Sequence, residues 1–477
     1  MAKSSTNSSR RGFGVGRIFF VLMGIASFGV LAYLLVQVTY QFLVPPPAHR
    51  LLFVQDIPLP SGFCKTGPCT ERPLAPGVQQ DFDGFDFQAY DPPTHKLFIA
   101  HTGPTPDMLV LAHPAFAPKF NPAVDIKFDG HIIVFDTQQD KLIARINIPQ
   151  VAGMVDALDL RKVYAADAEE SIVYSINVNT LKATPIQLDD NESPDAMSYD
   201  PVDHRIFVSD PGTNADPKNL NVDLNNQNVT VIDALTDKVF RKINLGGLPL
   251  LPGENVKSFA NAPKVKVTQI RNIQNIPIYG HDVGHNKYDA GLQRVFVTSQ
   301  VLGDANIRST SDNPNPLPPP GTGELIAIDP VNATIVQRIV LPASCSTPHG
   351  MDIDTDQQIA FIACTKFDSA STLFQNLLRV DLRTMTVIST APVNVRLAGG
   401  PDIVLIDHSQ HVLFVACKGG ISVFDEKAGE FKKLGDYVLG KGTHTIAIDE
   451  QTQEIFLPQL SGGIPILRIG RYNPNGV

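Results

Sequence analysis

Two imidazoles and two carboxylates recur at one position of a repeating phrase. His349 opens "HGMDIDTDQQIAFIAC", Asp402 opens "DIVLIDHSQHVLFVAC", His444 opens "HTIAIDEQTQEIFLPQ" and Asp86 opens "DFQAYDPPTHKLFIAH". Nitrogen and oxygen donors in that mixture suit a borderline divalent cation such as zinc, manganese or iron better than calcium alone. His281 and His285 in "GHDVGHNKYD" extend the set, and Asp195 opens a further copy of the phrase. A cation held by His349, His444, Asp402 and Asp86 would polarise a carbonyl group or lower the pKa of bound water. His101 or Asp195 would then serve as general base. Two other readings stay open at this point. Polar residues also begin such phrases where a turn ends, because short side chains bond free backbone amides, and an organic ligand held at the same place needs similar groups.

The elements that must position these residues are short strands. The six phrases beginning at Asp86, Asp195, Gly284, His349, Asp402 and His444 align without gaps, and a seventh beginning at Met154 reads as two residues shorter. Each is an alternating run, a turn and a second run. A third run follows ("GHIIVFD", "NVTVID", "GGISVFD"), and in six units a fourth, such as "KVFRKINL". Four strands per unit at a minimum spacing of 41 or 42 residues predict propeller blades. The last unit runs out of chain before a fourth strand, and "RLLFVQDIP" (Arg50 to Pro58) supplies one from the other end. Closure by exchange between the termini hides the exposed sheet edges. The expectation is an all-β, seven-bladed propeller of four-stranded blades closed by an N-terminal strand.

In that architecture the first strand of each blade lines the channel. Asp86, Met154, Asp195, Gly284, His349, Asp402 and His444 should then ring its mouth. Fifteen residues later stand His101, Asp210, Ser299, Cys364, Cys417 and Gln459, with Asp167 in the short unit. Antiparallel pairing predicts His349 beside Cys364, Asp402 beside Cys417 and Asp86 beside His101. A second aspartate column (Asp91, Asp159, Asp200, Asp289, Asp354, Asp407, Asp449) falls at the turn and reads as structural.

The phrases "YDPVDHRIFVSD…NVTVIDALTDKVFRKINL" and "IDHSQHVLFVACKGGISVFD" resemble the YVTN-type β-propeller repeat family over roughly residues 50–470. The resemblance implies the fold. It also implies a neighbourhood of surface-layer and periplasmic binding proteins and of propellers described as lactonases. The chain departs from the family pattern where "IFVSD", "LFIAH" and "LFVAC" replace the usual Asn ending, so binding through that Asn is not implied.

The rest of the chain sets location and limits. Arg10, Arg11 and Arg17 precede an uncharged apolar run from Ile18 to Val38, long enough to span a bilayer and oriented with its N-terminus in the cytoplasm. No small-residue cleavage site follows, so the run reads as a signal anchor. "SRRGF" also resembles a twin-arginine export signal, although paired arginines beside a membrane helix commonly set topology alone. The expected organisation is a basic cytoplasmic tail (1–17), a transmembrane anchor (18–38), a Pro-rich linker (39–49), the propeller (50–472) and a short tail (473–477). The linker entering by the closing strand predicts that the decorated top face points away from the membrane. A net charge of −9 argues against nucleic acid as a partner. The absence of tryptophan excludes literal WD repeats.

Of five cysteines, Cys64 and Cys69 are close enough to bridge a small loop, and Cys345, Cys364 and Cys417 leave an odd count. Asn191, Asn228 and Asn332 head sequences of the glycosylation type. There is no G-x-S-x-G elbow, Walker loop or C-x-x-C-H haem site. Long insertions at 102–130, 211–227, 247–280 and 300–322 gather on the top face, where irregular loops on a rigid scaffold commonly carry function. The leading expectation is therefore a membrane-anchored extracytoplasmic binding module for a protein, glycan or small ligand. The alternative is a metal-dependent, lactonase-like hydrolase, and a copper-type redox centre ranks last because the ring is only partly histidine.

Overall fold

Six of the seven blades are built on one local device, which blade 2 lacks because Ala157 stands in its place. The aspartate ending the first strand turns back on itself: Asp200 Oδ1 accepts from the Val202 amide at 2.9 Å, Asp354 Oδ1 from the Gln357 amide at 2.8 Å and Asp449 Oδ1 from the Gln451 amide at 2.9 Å. The chain then passes through one left-handed residue. His95, Arg161, His204, Gln293, Gln358, His411 and Gln453 have φ between 49° and 62°, and the second strand starts directly after each. An aspartate-capped turn with a left-handed exit reverses the chain tightly enough for immediate antiparallel pairing. Six aspartates of the predicted column cap their turns, whereas Asp159 does not.

The computed structural model describes residues 51–60, 63–65, 84–102, 126–128, 130–211 (except 169, 190 and 191), 228–245, 280–302, 323–367, 373–388, 397–427, 431–440, 443–461 and 464–473. Seven four-stranded antiparallel sheets follow one another. Their innermost strands are Phe85–Asp91, Val151–Ala157, Met197–Asp200, Gly280–Asp289, Thr347–Asp354, Pro401–Asp407 and Ala447–Asp449. The seventh sheet takes its outer strand, Leu51–Pro58, from the N-terminal side and pairs it with Ile464–Tyr472. Phe63–Lys65 and Ile126–Phe128 form a separate two-stranded ladder. The expected anchor, linker and tail (1–49), the bond between Cys64 and Cys69, and most of the inserted loops lie outside the described residues. Among the described residues no helix is long and apolar enough to cross a membrane.

The core lies between blades. Phe85, Leu97 and Ile99 of blade 1 pack on Phe456, Leu467 and Ile469 of blade 7. Phe207 and Val229 of blade 3 meet Val295 and Ile326 of blade 4. Burying one such side chain contributes roughly 1.5–3 kcal/mol, so each blade is stable only against its neighbours. The turns latch the same seams: Arg161 of blade 2 bonds Asp91 of blade 1 at 3.0 Å, and Tyr90 of blade 1 donates to Asp449 of blade 7 at 2.8 Å.

The register of blade 2 corrects the sequence expectation. Val151 pairs with Asp167 and Met154 with Ala165, just as Phe85 pairs with His101 and Gln88 with Ile99 in blade 1. The aligned phrase therefore begins at Ala152 and is not shortened. Ala157 holds the place of the turn aspartate, Asp159 lies within the turn itself, and Met154 is buried in the core rather than at the channel mouth.

Candidate metal centre

The inner strands of blades 1, 2, 5 and 6 each carry a β-bulge where they begin, and that of blade 4 carries one midway. In blade 5, Pro348 pairs with Cys364 and Met351 with Ile362, leaving His349 and Gly350 to oppose one residue. The expected pairs are thus displaced by one: Pro348 lies beside Cys364, Pro401 beside Cys417 and Phe85 beside His101. An unpaired bulge residue is free of the ladder and can aim its side chain elsewhere. Here the bulges release Asp86, His285, His349 and Asp402 toward the axis.

Glycine makes the approach possible. A Cβ on Gly350 would stand 1.6 Å from the carbonyl oxygen of Asp402, and one on Gly284 would stand 3.2 Å from that of His349. The Thr298 hydroxyl then lies 3.1 Å from the His285 carbonyl and 2.8 Å from the His349 carbonyl, holding two inner strands together.

The result is a group of five side chains from five blades. His349 Nε2 lies 3.2 Å and His285 Nε2 3.5 Å from the same oxygen, Asp402 Oδ1. His444 Nδ1 bonds the other oxygen, Oδ2, at 2.6 Å. One ligand atom each of His285, His349 and Asp402 falls within 4.8 Å of the others, and so do those of Asp86, Asp402 and His444. The His285 and His349 rings are tilted 4.7 Å apart, and Phe87 covers His285 at 4.9 Å. His285 is 3% exposed, and its Nε2 makes no proper hydrogen bond among the described residues.

The electrostatics follow from this packing. Burial pulls the His285 imidazole down to about 4, against the opposing pull of Asp402. Burial would raise Asp402, but the His285, His349 and His444 imidazoles facing it hold its carboxyl well below the ordinary carboxylate range. His444 is raised despite burial, because Asp402 bonds its charged form. Asp86 is pushed up to about 8 by burial, then by Asp195 and Asp402. A neutral buried imidazole facing an ionised carboxylate is the protonation state that a metal ion requires of its ligands.

The structure thus brings together Asp86, His285, His349, Asp402 and His444, with Asp195 near enough to act on Asp86. His285 takes the place that the alignment gives to Gly284, and the His281 side chain lies outside those described. His101 belongs to another arrangement: it stacks on Phe85 at 4.7 Å, and its Nδ1 lies 3.4 Å from His131 Nε2. His131 was not anticipated, and neither was the disulfide between Cys345 and Cys364. Cys417 is a free, buried thiol pushed up to about 12 by burial. Asn228 is fully buried, which closes that glycosylation sequence in the folded chain, whereas Asn332 is exposed. A cavity of about 470 Å³ lies between the inner strands of blades 2, 3 and 4, lined by residues such as Asp156, Ser198 and Lys287 and by none of the five.

No protein-family profile matches the chain, and no curated protein does. Among solved structures it is similar to Kuenenia stuttgartiensis hydrazine synthase, with a TM-score of 0.55 and 11% identity over 83% of this chain and 99% of that one. The likeness is one of fold. The chain is a seven-bladed β-propeller.

Proposed function

We propose that the channel mouth is a divalent-metal centre, and that the chain is a membrane-anchored extracytoplasmic propeller using it for hydrolysis of an ester or lactone. One observation carries the reading: His285 Nε2, buried and without a proper hydrogen bond, and His349 Nε2 converge on one oxygen of Asp402. Two imidazoles and a carboxylate with further positions open form the usual donor set of a catalytic zinc-type ion. Such an ion would polarise a carbonyl and lower the pKa of water. His444 orients Asp402 through their 2.6 Å bond, as outer partners do for metal ligands. Asp86, backed by Asp195, is the carboxyl placed to hold and move a proton at the edge of the group. His101 pairs with His131 instead and has no part in this reading.

The uncharged run from Ile18 to Val38 supports the anchored placement, and the YVTN-like phrases, near lactonase-type propellers, support the chemistry. The walls of a substrate pocket would come from insertions that leave the blades at this end, beside Thr102, Pro211 and Leu302. A binding module for a protein, glycan or small ligand would use those same insertions. It rests on segments outside the described residues, so the side-chain geometry favours the metal centre.

The test is elemental analysis of the full chain, purified in detergent without chelator or affinity metal, beside the His349→Ala/His444→Ala variant. Loss of one equivalent of metal in the variant, together with loss of activity on a panel of lactones and esters, is expected. Unchanged metal content in the variant would overturn the centre. Metal loss without any hydrolysis by the wild type would overturn the chemistry alone.

A further inference from the structure

Blade 6 breaks a column that the other six keep. At the position closing the third strand stand Thr137, Val178, Ala234, Pro330, Leu382 and Tyr472, all buried, and in blade 6 Glu426. The backbone there is the common one. The Glu426 amide donates to the His411 carbonyl at 3.0 Å, as Ala234 does to His204 and Leu382 to Gln358. Only the side chain differs, and its carboxyl group is fully buried. An ionised carboxylate is not buried without a partner that repays its lost hydration.

The partners converge. Glu426 Oε2 accepts from Gln357 Nε2 at 3.0 Å. Oε1 accepts no hydrogen bond among the described residues and faces His411 Nδ1 at 3.4 Å. Asp354 reaches the same point from blade 5, so that one ligand atom from each of Asp354, His411 and Glu426 lies within 4.8 Å of the others. These are the latch columns of the fold: a turn aspartate of one blade and the left-handed residue of the next. Between blades 1 and 2 that pair is Asp91 and Arg161, with the guanidinium as the cation. Between blades 5 and 6 an imidazole replaces the guanidinium and a second carboxyl is added.

We propose that Asp354, His411 and Glu426 form a second divalent-cation site, which clamps blades 5 and 6 on the face opposite the channel mouth. Two carboxylates and an imidazole suit Zn²⁺ or Mn²⁺. The half-exposed His411 leaves one side open for entry and for water ligands. The competing state is a proton held between the carboxyls, since burial and then Asp354 push Glu426 up to about 9. A cation displaces that proton.

The experiment is Zn²⁺ titration of the chelator-stripped full chain in detergent, by calorimetry and thermal melting. Glu426→Leu copies the residue that blade 5 uses, and His411→Gln copies blades 5 and 7 if the first variant fails to fold. The wild type should take up one more equivalent of Zn²⁺ than Glu426→Leu, and His411→Gln should bind that equivalent at least tenfold more weakly. In the His349→Ala/His444→Ala variant Zn²⁺ should still bind and raise Tm. That holds if the channel mouth proves not to bind metal, so the two sites fail separately. Equal Zn²⁺ uptake by the wild type and Glu426→Leu, or none by His349→Ala/His444→Ala, would overturn the proposal.

Discussion

At the scale of residues, the central carboxylate is placed by a glycine. Gly350 faces the Asp402 carbonyl so closely that a Cβ would stand 1.6 Å away. Replacing Gly350 with Ala forces the two inner strands apart, and overpacking of this kind costs about 1–3 kcal/mol. The expected outcome is a lower Tm and at least tenfold weaker Zn²⁺ binding at the mouth, with Zn²⁺ binding by Asp354, His411 and Glu426 at the opposite end of that seam retained. Thermal melts and Zn²⁺ titration check both. The histidines and Asp402 were legible in sequence because they share one column of a repeat. The part played by His285 was legible only as an extension, since the bulge that frees it reverses the order of glycine and histidine between "GH" in blade 4 and "HG" in blade 5.

At the scale of elements, strands and turns were legible wherever an aspartate punctuates the period-two pattern. Blade 2 was misread because Ala157 stands at the aspartate position and Asp159 mimics it two residues on. Glu426 is illegible for the opposite reason, as a single departure in a column otherwise made of apolar residues, Thr and Tyr. The disulfide escaped because Cys345 lies in a short turn, Ala343–Cys345, outside the repeat, so only its partner Cys364 had a place in the pattern. The bond ties that turn to the second strand of blade 5 across 19 residues. Closing a loop of that size stabilises by roughly 3 kcal/mol on chain-entropy grounds. The Cys345→Ala/Cys364→Ala variant should lose stability of that order in denaturant unfolding under oxidising conditions, and the wild type should match it once reduced.

At the scale of the whole molecule, the ring is joined where Leu51–Pro58 meets Ile464–Tyr472. Arg468 grips Asp56 with two bonds of 2.7 and 2.6 Å, and lies over the Phe53 ring at 5.1 Å. The Arg468 hydrogen bond holds the Asp56 carboxyl below its ordinary value of 3.8. A depressed carboxylate stabilises the folded state above its unfolded value and ceases to do so as pH falls through the folded one. Asp56 is 42% exposed, so solvent screening limits the pair to about 1 kcal/mol or less. Asp56→Asn should therefore lower Tm by a small amount at neutral pH. That difference should disappear as pH falls through the depressed folded value of Asp56, where the carboxyl is protonated in the folded state as well.

The five channel-mouth side chains come from blades 4, 5, 6, 7 and 1, and Asp86 and His444 meet across the very junction where the two ends of the chain are joined. A translation product that ends before blade 7 lacks His444 and does not hold the whole set. A circular permutant that moved the chain ends to another blade boundary would keep it, whereas a chain missing any one of those blades would not. The proposed ion would in effect be a tally that those five blades are joined.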